Sequence, residues 1–161
     1  MAKATSGGTP ATVALSRAGI AFSLHPYDHR DDVTSFGAEA AAALDIPPAE
    51  IFKTLVADLG GELVVAVVPV AGRLNLKALA AALGAKKAAL ADPAAATRSS
   101  GYVVGGISPL GQRTPLPTVV DTSAQSLDAM YVSAGRRGLQ VRLAPSDLVR
   151  ATGGRFAPIG S

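Results

Sequence analysis

The residue types best suited to metal chemistry are clustered near the amino terminus of the chain. Two histidines and three aspartates lie close together, at His25, Asp28, His29, Asp31 and Asp32. Imidazole and carboxylate groups are suitable ligands for zinc or iron. However, Pro26 argues against a helix that would place both imidazoles on one face, and the chain has no third histidine and no cysteine. The pattern therefore does not favour a metal site, and we expect no cofactor.

Two serines in glycine-containing segments are candidates for a nucleophile. Ser108 lies in "GGISPLG" and Ser133 lies in "YVSAG". Neither segment has the Gly-x-Ser-x-Gly pattern that exposes a catalytic serine on a sharp turn between a strand and a helix. The segment "GYVVGG" is likewise not the Gly-x-Gly-x-x-Gly pattern of dinucleotide-binding proteins. The sequence therefore supports neither a serine hydrolase nor a dinucleotide-binding protein.

A lysine and a glycine-rich stretch are the remaining candidates. Lys53 follows Ile51 and Phe52 in "IFKTL", where a lysine usually packs its stem on apolar residues and extends its ammonium group into solvent. The stretch "GYVVGGISPLG", residues 101–111, has no acidic, basic or metal-binding side chain. Its glycines would allow either a tight turn or a close approach of the backbone to a ligand. The residues alone leave both interpretations open.

The elements that would position these residues are predicted from apolar periodicity, caps and turn residues. The chain has 161 residues, of which 48% are hydrophobic, enough for the core of one domain. Helices are predicted to begin at Pro10 after Thr9, at Thr34 or Ser35, at Asn75, at Asp92 and at Pro145. Strands are predicted over 20–29, 63–70, 86–92, 116–121, 129–135 and 139–144, with a hairpin turn at Gly60–Gly61. Pro47 and Pro48 are expected to open a turn or short helix that carries residues 49–58. The predicted class is therefore α+β, in a single domain with a mixed β-sheet flanked by helices.

Charge and hydropathy restrict the possible environments and partners. The net charge is +3, but residues 1–80 carry −2 and residues 81–161 carry +5, so the second half could present a basic face to RNA. The longest apolar run, Leu63–Val70, is too short to cross a bilayer. The segment "MAKATSGG" lacks the apolar centre of a signal peptide. We expect a cytoplasmic protein that does not bind membranes, with a disordered tail over residues 1–8.

Several motifs together resemble a known family. The segments "HPYDH", "IFKTLV", "RSSGYVVGGISPLGQ" and "YVSAGRRGL", in this order, closely resemble the YbaK branch of the aminoacyl-tRNA editing superfamily. These are free-standing relatives of the editing domain inserted in bacterial prolyl-tRNA synthetases. The resemblance extends from about Thr9 to about Phe156 and implies that residues 9–161 form one editing domain with that fold.

The resemblance also implies an activity. Within the family, the chain resembles the deacylase that removes cysteine mischarged onto proline tRNA, so we expect a trans-editing deacylase for Cys-tRNA(Pro), with Cys-tRNA(Cys) as a second candidate substrate. The substrate's own thiol would attack the ester, and no cofactor would be needed. The expected partners are the acceptor end of aminoacylated tRNA and, transiently, prolyl-tRNA synthetase. Two alternatives stay open: a deacylase for alanine or another small amino acid, and a non-catalytic module that binds tRNA ends or nucleotides.

The family's functional residues correspond to particular positions of this chain. The resemblance implies that Lys53 pairs with a phosphate or orients the acceptor end, and that Gly105 and Gly106 let the backbone stabilise an oxyanion. The residues implied to contact the substrate are Tyr27, Phe36, Thr54, Ile107, Ser108, Pro109 and Ser133.

Overall fold

The computed structural model describes residues 8–30 and 35–161. Several positions named above lie outside these residues: residues 1–7 of the tail predicted over 1–8, the two aspartates Asp31 and Asp32, and the alternative helix cap Thr34. Within the described residues, five α-helices and eight strands form an α+β fold, which confirms the predicted class.

The strands form two sheets rather than one. An antiparallel sheet has the order β1 (Ser23–Pro26), β7 (Leu139–Leu143) and β6 (Met130–Arg136). A mixed sheet has the order β4 (Ala89–Leu90), β2 (Phe52–Asp58), β3 (Leu63–Pro69), β5 (Thr118–Asp121) and β8 (Arg155–Ala157). In the mixed sheet β3 pairs parallel with β5, and β5 pairs parallel with β8, whereas β2 is antiparallel to both of its neighbours.

A backbone bridge joins the two sheets. Ile51, just before β2, forms a parallel bridge with Tyr131 in β6. The backbone N–H of Tyr131 donates a hydrogen bond of 3.0 Å to the carbonyl of Glu50. The first residues of β2 therefore run alongside the middle of β6.

A shared core packs the two sheets into one unit. The largest buried apolar cluster contains Phe52 and Val67 from the mixed sheet, Val132 and Val141 from the antiparallel sheet, and Leu15 from the first helix. Because residues of both sheets exclude water from the same interior, neither sheet buries its apolar face alone.

The five helices are found where the sequence predicts them. They are α1 (Pro10–Arg17), α2 (Phe36–Leu44), α3 (Leu76–Ala82), α4 (Pro93–Ser100) and α5 (Pro145–Thr152). The side chains of Thr9, Asn75 and Asp92 accept hydrogen bonds from amides of the first turn, as expected for N-caps. Ser35 occupies the N-cap position of α2, but its side chain makes no capping hydrogen bond.

The interpretation of residues 49–58 as a turn or short helix is wrong beyond the first residues. From Phe52 onward this segment is strand β2, which pairs with β3 along its full length and with β4 at its end. Strand β2 lies between β4 and β3, and its apolar residues do not alternate strictly with polar ones. Such a pattern does not by itself distinguish a strand from a helix. The predicted hairpin is present, since Gly60 and Gly61 have φ of +98° and +120° and their amides donate to Asp58.

The other differences concern short elements. The strands predicted over 20–29 and 86–92 are reduced to β1 and β4. Strand β8 and the 3₁₀ helix Thr122–Ser126 were not predicted. Beyond β8 the chain is held by Asp121, whose carboxylate accepts hydrogen bonds from the amides of Ile159 and Gly160. This long-range anchor leaves no periodic signal in the sequence. Among the described helices, none is long and apolar enough to cross a membrane.

Candidate active site

A pocket with a volume of about 460 Å³ lies where the two sheets meet. Its walls come from the start of α2, from β2, from the segment joining β4 to α4, from the glycine-rich stretch 101–111 and from β6 and β7. We call residues 101–111 the glycine loop. It follows α4 directly and precedes β5 without forming a strand of its own.

The structure brings six of the ten predicted site residues into the lining of this pocket. They are Phe36, Lys53, Thr54, Gly105, Ile107 and Ser133. The four predicted residues outside the lining are Tyr27, Gly106, Ser108 and Pro109. Positions that are far apart in the sequence are thus gathered around one cavity.

Lys53 and Ser133 are brought together by the bridge between the sheets. Each lies two residues after a member of the Ile51–Tyr131 pair, so their side chains lie on the same faces of their strands as that pair. The Ser133 hydroxyl accepts a hydrogen bond of 3.2 Å from the amide of Gly135. No histidine, aspartate or glutamate is among the described lining residues, so neither an imidazole nor a carboxylate lies beside Ser133 in the pocket.

Gly105 permits the closest approach of the glycine loop to the pocket wall. It has a φ of +87°, and a Cβ at this position would lie 2.7 Å from the ring of Phe36. Gly106 packs on the backbone of Arg136, and its amide donates a hydrogen bond of 2.9 Å to Val103. The Gly106 amide is therefore engaged within the loop, whereas the backbone of Gly105 lies at the cavity.

The second half of the glycine loop is held from within. The Tyr102 hydroxyl donates to the carbonyl of Leu110 at 2.7 Å, and burial raises the pKa of Tyr102 to about 12, so the hydroxyl remains a donor. The fully buried Ser108 accepts from the Leu110 amide, and its own carbonyl accepts from the side chain of Gln112. Ser108 and Pro109 form the buried base of the loop.

Tyr27 lies outside the lining of this pocket and instead lines a separate cavity with Pro26, Asp28 and Ala43. Burial raises the pKa of its phenol, an effect that the nearby side chain of Gln140 partly offsets, and the backbone amide of Tyr27 donates a hydrogen bond of 2.9 Å to the carbonyl of Gly138. Gln140 does line the pocket and is only 7% exposed. Sequence reasoning missed Gln140, because one amide in the strand "LQVRLA" carries no signal. Its pairing with Ser133 in the adjacent strand places it there.

The two histidines have different partners. Nε2 of His25 lies 2.8 Å from the hydroxyl of Ser23, and Nδ1 of His29 lies 2.8 Å from a carboxylate oxygen of Glu39. Within residues 8–30 and 35–161, no group of three potential metal ligands is found.

The mouth of the pocket combines apolar and basic groups. Leu90 and Val104 line the cavity and are 58% and 41% exposed. Nε of Arg137 donates to the carbonyl of Val104 at 2.8 Å, and its guanidinium lies 4.8 Å from the centroid of the Phe36 ring. An arginine beside a pocket suits the binding of a phosphate group, and the exposed side chains of Leu90 and Val104 add apolar surface next to it.

Comparisons with known proteins agree on the nature of this fold. Residues 31–151 match the family model described as "Aminoacyl-tRNA editing domain". A relative from Enterococcus faecalis is 42% identical over 121 residues, which are 74% of this chain and 73% of the relative. That relative is named "Putative Cys-tRNA(Pro)/Cys-tRNA(Cys) deacylase EbsC".

Two solved structures have the same architecture. "Crystal structure of hypothetical protein APE2540" matches with a TM-score of 0.83 and 29% identity, and the match covers 94% of this chain and 99% of that one. "Crystal structure of a putative trans-editing enzyme for prolyl tRNA synthetase" also has a TM-score of 0.83, at 23% identity, over 94% of this chain and 95% of that one. At this identity the second match bears on the fold alone.

The packing of Gly105 against Phe36 leads to a testable prediction. Gly60 also has a positive φ, but a Cβ there would have no atom within 4 Å, so Gly60→Ala measures the backbone cost alone. We expect Gly60→Ala to lower the free energy of unfolding by about 1–2 kcal/mol. Gly105→Ala should lower it by about 1–3 kcal/mol more, because the new methyl group displaces the ring. Urea denaturation of both variants measures the difference, and equal losses would contradict the inferred contact.

Proposed function

Since the chain belongs to the aminoacyl-tRNA editing family, we propose that it hydrolyses the ester bond of mischarged Cys-tRNA(Pro) and, as a second substrate, of Cys-tRNA(Cys). The observation that carries the proposal is the pocket, where Lys53, Thr54, Phe36, Gly105 and Ser133 meet as the resemblance implies. The name of the Enterococcus faecalis relative supports cysteine as the amino acid. We also propose that this chain is located in the cytoplasm, since charged tRNA is used there.

The geometry of the pocket suits the end of a charged tRNA. A cavity of about 460 Å³ is large enough for an aminoacyl group with part of its ribose. The terminal nucleotides then extend over Leu90 and Val104 at the mouth, beside Arg137. Lys53, in the lining, pairs with a phosphate or orients the acceptor end as a point charge.

The chemistry is catalysis by positioning. The described lining offers no histidine or carboxylate that would activate a nucleophile. As the family resemblance implies, the thiol of the cysteinyl group attacks its own ester carbonyl, the tRNA oxygen leaves as a hydroxyl group with the thiol proton, and water later opens the resulting thiolactone. Backbone amides of the glycine loop near Gly105 stabilise the oxyanion, and one such donor contributes about 10²–10³ in rate. Holding the thiol close to the carbonyl supplies the remaining acceleration.

Selection of the tRNA requires a partner. The pocket is built for the aminoacyl end and contains no surface that would read the tRNA body. We therefore expect the isolated protein to hydrolyse Cys-tRNA(Pro) and Cys-tRNA(Cys) at similar rates, and prolyl-tRNA synthetase to confer preference for the proline tRNA through a transient complex. Rates on both substrates with and without the synthetase test this. A strong preference by the isolated protein would contradict it.

The role of Lys53 is tested by substitution. Purified wild-type protein should release cysteine from Cys-tRNA(Pro) well above the uncatalysed rate, and faster than it releases alanine from Ala-tRNA(Pro). Lys53→Ala should reduce this activity by at least about 100-fold, if the ammonium contributes a charge-assisted contact made in the transition state. Its thermal unfolding should stay close to that of wild type.

Lys77→Ala is the matched control, since Lys77 is exposed on α3, away from the pocket lining. Turnover by Lys53→Ala equal to that of Lys77→Ala would remove Lys53 from the reaction. Absence of cysteine release by the wild type would overturn the proposed function.

The nucleophile is tested by changing one atom of the substrate. Serine is slightly smaller than cysteine, so a seryl ester should bind but react at least about 100-fold more slowly, because a hydroxyl is a much weaker nucleophile than a thiol at neutral pH. Single-turnover rates on Cys-tRNA(Pro) and Ser-tRNA(Pro), with competition binding of each, measure this. Comparable rates would indicate a water nucleophile instead.

A further inference from the structure

The pocket contains a buried hydrogen-bond acceptor that has no partner. Oε1 of Gln140 is almost fully shielded from solvent and accepts no hydrogen bond from any described residue. Leaving such an atom unpaired costs about 1–3 kcal/mol, so its donor is expected from outside the protein. Because Gln140 lines the pocket, a ligand in the pocket is the available source.

The position of this amide is set by the pairing of three strands. Gln140 lies in β7, opposite His25 of β1 on one side and Ser133 of β6 on the other. Ser133 also lines the pocket. Because β7 is paired along both edges, its backbone holds the Gln140 side chain at the wall of the cavity.

The unpaired oxygen of Gln140 is more selective than the other unpaired oxygen in the lining. The Thr54 hydroxyl also lacks a partner, but a hydroxyl both donates and accepts and so suits many ligand groups. Gln140 Oε1 only accepts, and it therefore requires an N–H or O–H from the ligand. In a cysteinyl ester bound with its nucleotide at the mouth, the strong donor at the buried end is the α-amino group, since a thiol is a weak donor.

We propose that Gln140 Oε1 accepts a hydrogen bond from the free α-amino group of the aminoacyl ester, so that the pocket selects esters carrying this group. The inference rests on the proposed function and adds the group by which the amino acid is recognised. No carboxylate is among the described residues that line the pocket, and Lys53 is its cation. Recognition of the amino group is therefore by a neutral acceptor rather than by an opposite charge.

The experiment removes each partner of this hydrogen bond in turn. Cys-tRNA(Pro) is compared with tRNA(Pro) carrying a β-mercaptopropionyl ester, which keeps the thiol and the ester, lacks the amine and is smaller. Wild type and Gln140→Leu are assayed on both esters under single-turnover conditions. The loss caused by the substitution is compared between esters, because the amine also alters the intrinsic reactivity of an ester.

Gln140→Leu should slow hydrolysis of the cysteinyl ester by about 10- to 100-fold, the range for a hydrogen bond to a charged group. The same substitution should leave the rate on the β-mercaptopropionyl ester unchanged within a factor of about 2, because that ester has no amine to lose. Equal losses on the two esters, or no loss on the cysteinyl ester, would overturn the inference. Absence of cysteinyl hydrolysis by wild type would instead overturn the proposed function together with it.

Two further variants separate recognition from folding. Gln140→Glu keeps an oxygen acceptor of the same shape, so it should preserve more of the rate on the cysteinyl ester than Gln140→Leu does. A loss as large as that of Gln140→Leu would contradict the role of the oxygen. Gln125→Leu, at an exposed position, is the matched control and should leave both rates and the thermal unfolding temperature unchanged.

Discussion

The parallel bridge between Ile51 and Tyr131 is the contact on which the pocket depends. It joins a mixed sheet to an antiparallel sheet and lets Lys53 face the same cavity as Ser133 and Gln140. The bridge holds because the residues around it are buried on both sides, with Phe52 and Val132 in one apolar cluster. Because the two sheets share this tightly packed core, neither sheet can shift without opening it. The pocket at their junction is therefore held rigidly.

Under the proposed mechanism, a pocket with no histidine or carboxylate among its described lining residues acts on an ester through backbone groups. The glycine loop contributes backbone, and it does so in a fixed conformation because Tyr102, Ser108 and Gln112 hold its second half from within. Its first half is set by the close packing of Gly105 on Phe36 and by the hydrogen bond from Arg137 to Val104. Preorganised dipoles of this kind stabilise developing charge without reorganising during the reaction.

In the proposed mechanism the substrate supplies the nucleophile, and this affects which amino acids the protein can release. A small pocket discriminates poorly between side chains of similar size. Under the proposed mechanism, the thiol is selected by its reactivity and the α-amino group by the acceptor on Gln140. The protein then recognises the amino acid by two chemical properties rather than by size, and the tRNA is recognised elsewhere.

The helices were largely predictable because their signals are local. A cap such as Thr9, Asn75 or Asp92 acts on the next turn of its own chain, so its effect can be read without knowing the fold. Strand β2 was misjudged for the opposite reason. Its apolar residues do not alternate strictly, and only pairing with β3 and β4 distinguishes this segment from a helix.

The same distinction holds for the site. The sequence by itself determined that Lys53 and the glycine loop belong to a family motif, because the motif consists of short contiguous segments in a fixed order. Tertiary structure alone decided that Tyr27 lies outside the pocket lining and that Gln140 is part of it. Strand register sets which side chains share a face, and the register of β7 on β6 comes from long-range packing that no local pattern records.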